Sequence, residues 1–355
     1  MNLTDKTKTA HNIPLCVGYS FSAEGQMTFP QIVEQYRDSI GEVYFAFTGM
    51  PSGRSALGFE SGYTDFASTE RLVCELQQIA ALGVKLDLLL NSNCYGADAM
   101  SLALERQIFS VLEYLCAKGC NVSVVTTTSP VVAQIVRNFD NKIDVRASVN
   151  MRISTVKGVQ YVQHLFDSFC IFRDINRDMQ SLATLSEYLK KSGKGVSLLV
   201  NSGCLRNCSM QTFHDNAVAH EAEIFSKNNL PWAGKSGCRG FFSKPENQVA
   251  FLQNTWIRPE DLHNYEGLID TAKLATRMHA LPAMVIDAYA RGKFYGNLAD
   301  LFEPGHGPLF APYVIDNSRF PKDWFEKTTA CDKNCCKCGY CQSVMEQVFI
   351  NSDEH

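Results

Sequence analysis

The sequence predicts a TIM-like (β/α)8 barrel carrying a cysteine-rich C-terminal extension. Three observations point there. Short apolar runs alternate with amphipathic segments of helical period, the signature of parallel strands joined by helices. Eight such units fill about 280 residues, the count and size of a barrel. Residues of one chemistry, Asn, Ser and Arg, recur just after the apolar runs, where a barrel gathers its active site. A doubly wound open sheet would leave that repetition unexplained. The expected parts are an N-terminal tail over 1–12, the barrel over 13–300 and the extension over 301–355.

The first strand is expected over Ile13–Gly18, a helix over Phe29–Ser39 and a second strand over Glu42–Phe47. Thr48–Asp65 is rich in Gly, Ser and Pro and reads as a long loop. A helix over Ser68–Leu82 stops at Gly83, which suits a left-handed C-cap. The third strand, Lys85–Leu90, runs into Asn91 and Asn93, and a helix over Ser101–Lys118 leads to the fourth, Asn121–Val125. The fifth, Ile143–Ala147, ends in Ser148, Asn150 and Arg152; the sixth, Ser168–Phe172, ends in Arg173 and Asp174. The seventh, Val196–Val200, opens onto Asn201-Ser202-Gly203-Cys204-Leu205-Arg206-Asn207-Cys208, and the eighth, Leu268–Leu274, ends near Arg277. From Tyr295 to Pro321 the chain is rich in Gly and Pro and is expected to lie extended over the barrel.

With 45% apolar and 20% charged residues the composition is that of a soluble globular protein. The net charge of −4 supplies no basic field, which disfavours nucleic acid as a partner. No apolar run approaches a membrane span or a secretory signal, so the expected location is a reducing cytoplasm. There, fourteen cysteines read as metal ligands or buried small hydrophobes rather than disulfides.

Two cysteine groups stand out. Cys204 and Cys208 follow strand seven, and Cys238 lies between Gly237 and Gly240. The tail packs Cys331, Cys335, Cys336, Cys338 and Cys341 into eleven residues, a spacing that lets one turn present several thiolates to one centre. Three thiols and five make eight, enough for two four-thiolate clusters if the tail lends one ligand to the barrel. A single mixed-ligand cluster is simpler. Zinc suits four thiolates equally, so spacing does not separate it from iron–sulfur.

Beyond these, the chain resembles the collagenase-like peptidases, the U-thirty-two family. The likeness rests on Gly203-Cys204, Cys208, His214 and Cys238. It rests also on Trp256-Ile257-Arg258-Pro259-Glu260-Asp261-Leu262 and on Ile269-Asp270-Thr271-Ala272-Lys273-Leu274-Ala275-Thr276-Arg277. Ala288-Tyr289-Ala290-Arg291-Gly292 and Gly296-Asn297-Leu298 extend it, and the strong part covers about residues 196–300. The resemblance implies a TIM-like barrel bearing a 4Fe–4S cluster. It also implies oxygen-independent hydroxylation of RNA bases or ubiquinone precursors, with prephenate as oxygen donor in some relatives. The chain departs from the family pattern: its first two cysteines are closer together, an intervening one is missing and the five-cysteine tail is extra.

The expected function is an oxygen-independent, hydroxylation-type redox reaction on a small or carrier-bound metabolite. His214, Arg277 and Asn150 are the expected catalytic residues. Asn91, Asn93, Arg152, Arg173 and Arg258 are the expected substrate ligands, since guanidinium forks suit carboxylates and phosphates. A redox partner protein and a homo- or hetero-oligomer are the expected company. The alternatives are a non-catalytic electron-transfer subunit and a peptidase. For the latter no Ser/His/Asp or His-Glu-x-x-His arrangement is present.

Overall fold

A computed structural model describes residues 10–54, 66–221, 224 and 237–352. Eight parallel strands close on themselves in chain order. They are β1 (Leu15–Gly18), β2 (Ile40–Phe45), β3 (Lys85–Leu90), β4 (Val122–Thr127), β5 (Asp144–Ala147), β6 (Ser168–Ile171), β7 (Gly195–Leu199) and β8 (Thr271–Leu274). Pairing of Leu15 with Ala272 and of Val17 with Leu274 seals the barrel. Seven helices follow the first seven strands: α1 (Phe29–Gln35), α2 (Phe66–Ala81), α3 (Leu102–Ala117), α4 (Pro130–Phe139), α5 (Val156–Val162), α6 (Met179–Lys191) and α7 (Gln211–Ala219). Helix Pro282–Arg291 follows β8.

Two expected boundaries move furthest. Helix α1 ends at Gln35 rather than Ser39, because the chain turns at Tyr36–Ser39 to bring Ile40 opposite Leu15. Strand β8 begins at Thr271 rather than Leu268. Leu268 and Ile269 both hydrogen-bond back to the Tyr265 carbonyl, in a turn where Gly267 takes φ 77°. The long loop expected over 48–65 lies partly outside the described residues.

Because strand side chains alternate, one set faces the helices and the other fills the barrel. The outward set, including Leu15, Val43, Phe45, Leu86, Leu88, Val145, Phe169, Leu198 and Leu274, belongs to one continuous apolar core with the helices. The inward set is unusual. Among the described residues its apolar cluster is Cys16, Tyr44 and Leu89. Around it lie buried charges: Glu42, Asp87, Arg146 and Lys273. Arg146 grips Glu42 through both terminal nitrogens (Nη1–Oε1 2.5 Å, Nη2–Oε2 2.9 Å) and lies 3.6 Å from Asp87. Lys273 lies 3.7 Å from Asp87 and 4.1 Å from the centre of the Tyr44 ring. Barrels usually fill this space with branched aliphatics; here it is filled with two carboxylates and two cations.

Beyond the barrel, short elements wrap back instead of running extended. Segment Tyr313–Ile315 pairs antiparallel with Phe349–Asn351, and helices Trp324–Thr329 and Tyr340–Val348 lie between. The anchor is aromatic. Trp256 stacks on Phe302 at 5.1 Å and on Trp324 at 5.8 Å, and Arg177 lies over both indoles at 4.1 and 5.2 Å. Both tryptophans are essentially buried, so the extension is fixed to the barrel by a desolvated stack. No helix among the described residues is long and apolar enough to cross a membrane.

Candidate active site and metal centre

The segments after β2, β5, β6, β7 and β8 bring arginines, and on α7 His214, to the C-terminal mouth. Arg277, just past β8, donates from Nη2 to the Arg54 carbonyl at 3.2 Å, while its Nη1 is buried without a partner. Burial pulls its pKa down to about 10, with Arg54 adding repulsion and Tyr44 opposing it. Arg173 is also buried, and its Nε lacks a partner. His214 on α7 feels both Arg54 and Arg173. Burial first, then Arg54, lowers its pKa, which keeps the imidazole neutral at pH 7. Neutral imidazole can accept a proton.

The other expected site residues divide. Asn91 accepts from the Gly53 backbone at 3.0 Å, so it braces the β2 loop at the mouth. Asn93 and Asn150 are half-buried on the β3 and β5 loops. Arg152 is committed to α7, donating to Thr212 at 2.9 Å and to Asp215 at 3.1 Å, so it positions the His214 helix. Arg258 needs correcting. Its Nε donates to Asn317 Oδ1 at 3.0 Å, its guanidinium lies 3.4 Å from Glu260, and Phe320 caps it at 4.5 Å. Its Nε and Nη2 are thus spent inside the fold, and Arg258 ties the extension down.

Asn201, which shares the polar strand-end pattern, is also structural. It is fully buried, donates to the Ala275 and Leu301 carbonyls, and accepts from the Ala275 amide at 2.6 Å. Asn201→Ala should therefore cost about 1–3 kcal/mol, read as a lower urea midpoint. An unchanged midpoint would show that these bonds contribute nothing net.

The β7 loop then turns tightly. A Cβ on Gly203 would lie 2.2 Å from the Pro304 carbonyl oxygen, so only glycine fits before Cys204. Asn207 takes φ 54° and donates its amide to Asp174 at 3.0 Å, which shapes the turn between Cys204 and Cys208. Gly237 lies so close to Met210 that a Cβ would come within 2.3 Å of its sulfur. The helix bearing Cys238 is thereby seated beside the segment that follows Cys208. All three thiols are half-buried.

In the tail, Cys331, Cys335, Cys338 and Cys341 line one cavity of about 290 Å³, together with Asp174, Arg177, Arg206, Thr255 and Lys333. Cys336 is exposed and is not among the lining residues. Arg206, from between Cys204 and Cys208, reaches into this cavity and approaches Cys335 Sγ at 3.5 Å. The Lys333 amide points at Cys331 Sγ at 3.3 Å. Without a metal, burial raises the Cys341 thiol to about 11; Arg177 works against this, while the other three tail thiols reinforce it. Three buried polar atoms of the lining have no partner: Arg177 Nη2, Asp174 Oδ1 and Thr255 Oγ1. Soft donors, a cationic wall and unsatisfied polar atoms together fit a thiolate-bound metal group.

No protein-family model matches the chain. Over 319 residues it is 25% identical to an uncharacterized protease of Methanocaldococcus jannaschii, covering 87% of this chain and 88% of that protein. Its fold matches that of the U32 peptidase Mk0906 with a TM-score of 0.50 and 14% identity, over 75% of this chain and 93% of the other. The family resemblance is to the U32, collagenase-like peptidases. Within that U32-like frame, two features of this chain escaped the sequence. Arg54 lies in a loop whose Gly, Ser and Pro content masked a mouth residue. The barrel's ionic core was also missed, although charges at inward-facing positions of four short apolar strands (Glu42, Asp87, Arg146, Lys273) were a visible signal.

Within that ionic core, Cys16 Sγ, Glu42 and Asp87 bring three potential ligand atoms within 4.8 Å of one another. Arg146 and Lys273 already balance the two carboxylates, and the Cys16 thiol donates to Glu42 at 2.9 Å. A cation there would compete with two fixed ones.

Proposed function

We propose that this U32-like barrel is an iron–sulfur enzyme. It would carry out an oxygen-independent, hydroxylation-type redox reaction on an anionic small or carrier-bound metabolite. The observation that carries the reading is the tail cavity, which four thiols line together with Arg177, Arg206 and Lys333. Cys331, Cys335, Cys338 and Cys341 would hold a 4Fe–4S cluster, and Cys204, Cys208 and Cys238 are the candidates for a second. Such a cluster supplies one-electron transfer. Guanidinium groups beside its thiolates favour the anionic, metal-bound state. Arg206 belongs to the loop between Cys204 and Cys208 and touches Cys335, which couples the two thiol groups through one side chain.

In the mouth, Arg173, Arg277 and Arg54 would bind the substrate's anionic group, Asn150 and Asn93 would orient it, and neutral His214 would take up a proton from it.

Anaerobic purification with iron, sulfide and zinc analysis tests the reading. The expected result is a brown protein with about four irons and four sulfides for each occupied site. A colourless protein holding zinc alone would sink the redox function. The names of the relatives favour a second reading, a peptidase. Cleavage of casein or gelatin by metal-free protein, abolished by His214→Ala, would establish it in place of the first.

A further inference from the structure

A cavity of about 490 Å³ opens between the loop after β1 and the loop after β8, against the helix Pro282–Arg291. Its lining is mostly apolar: Phe21, Met27, Met278, Leu281 and Met284 are among the residues that form it. Met27, Met278 and Leu281 are 43%, 43% and 51% exposed, so three large apolar side chains are held open to water around a concavity. Methionine side chains adapt to varied apolar shapes, which suits a ligand-binding rim.

Two polar side chains of the wall, Tyr19 and His279, are engaged. Tyr19 donates to Glu75 at 3.0 Å. Of the His279 ring nitrogens, Nε2 meets the Asp300 carbonyl at 2.8 Å and Nδ1 meets the Leu281 amide at 3.0 Å. Arg277, by contrast, keeps Nη1 buried and unpaired.

We infer that this cavity binds an amphipathic oxyanion, a carboxylate or phosphate head on Arg277 with an apolar body among Phe21, Met27, Leu281 and Met284. This names the ligand class for the mouth and rests on the reading of Arg277 as an anion ligand. It does not need the iron–sulfur assignment. A site that is mainly apolar with one directing charge is the ordinary composition of a small-molecule pocket. The guanidinium fork supplies orientation, and the apolar wall supplies affinity that grows with the length of the body.

The test is ligand-observed NMR titration of the full chain with butanoate, octanoate, octyl phosphate, octylammonium and octanol. Octanoate should bind on the order of tenfold or more tightly than butanoate, because each buried methylene is worth up to about fourfold. It should also outbind octanol and octylammonium. Comparison of octanoate with octyl phosphate identifies the preferred head. Arg277→Met should erase the preference for anion over alcohol while keeping the chain-length dependence. Should that variant not fold, Leu281→Glu on the exposed rim should weaken octanoate and strengthen octylammonium. Equal binding of octanol and octanoate, no binding of any chain, or indifference to Leu281→Glu would each overturn the assignment. Binding is read without turnover, so a zinc-only preparation would end the redox reading and leave this one standing.

Discussion

Arg146→Met should unfold about 3–5 kcal/mol more easily at pH 7.5, the cost of stranding one partner of a buried ion pair. Glu42 is 4% exposed and Asp87 fully buried, so neither can recruit water once Arg146 is gone. In the intact barrel burial pushes Glu42 upward, but Arg146 overcomes it and holds the carboxyl near pKa 2. A depressed folded value means the contribution is complete above the ordinary glutamate range, near 4.5, and is lost as pH falls toward 2. In the variant burial acts with far less opposition and lifts the folded value above the unfolded one. Its deficit should then ease as pH falls and the stranded carboxylate takes a proton. Thermal midpoints of the two proteins should therefore lie furthest apart at pH 7–8 and converge toward pH 5. A gap that stays constant with pH would assign the loss to packing alone.

The second large effect concerns the tail. Cys338→Ser and Cys341→Ser should each abolish metal at the tail cavity, because a cluster short of a thiolate is readily lost. Cys336→Ser should keep it, since Cys336 does not line that cavity. Cys204→Ser should remove a separate fraction of the iron if the barrel thiols hold their own centre. Iron and sulfide counts on anaerobically purified variants decide this. Equal loss from Cys204→Ser and Cys338→Ser would mean one shared cluster. Loss from Cys336→Ser would mean the four-thiol cavity has been misassigned. The barrel should stay folded throughout, because Trp256, Trp324 and Arg177 hold the extension down without any metal.

The strand-end positions of Cys204, Arg173 and Arg277 were legible by counting strands, because barrels place strand ends on one face, and the fold bears out that count. What failed was the reading of charge. Arg258 and Asn201 carry the residue types of a binding site, yet both spend their hydrogen bonds on the extension and on neighbouring strand ends. A sequence shows that a guanidinium is present but not whether a carboxamide sixty residues away already occupies it. The cysteine arithmetic met the same obstacle. Five tail thiols invite a loan of one to the barrel, but in three dimensions four share a cavity and the fifth, Cys336, lies outside its lining.

The sequence alone determined the closed eightfold barrel, because alternating apolar runs and helical periods leave few other ways to bury both faces of every strand. It also determined that the chain carries two groups of thiols, because their spacing is local. Only the tertiary structure decided which arginines remain free, since that depends on partners distant in the chain. It alone revealed the charged interior, where Glu42, Asp87, Arg146 and Lys273 come from four strands and meet only when the sheet closes.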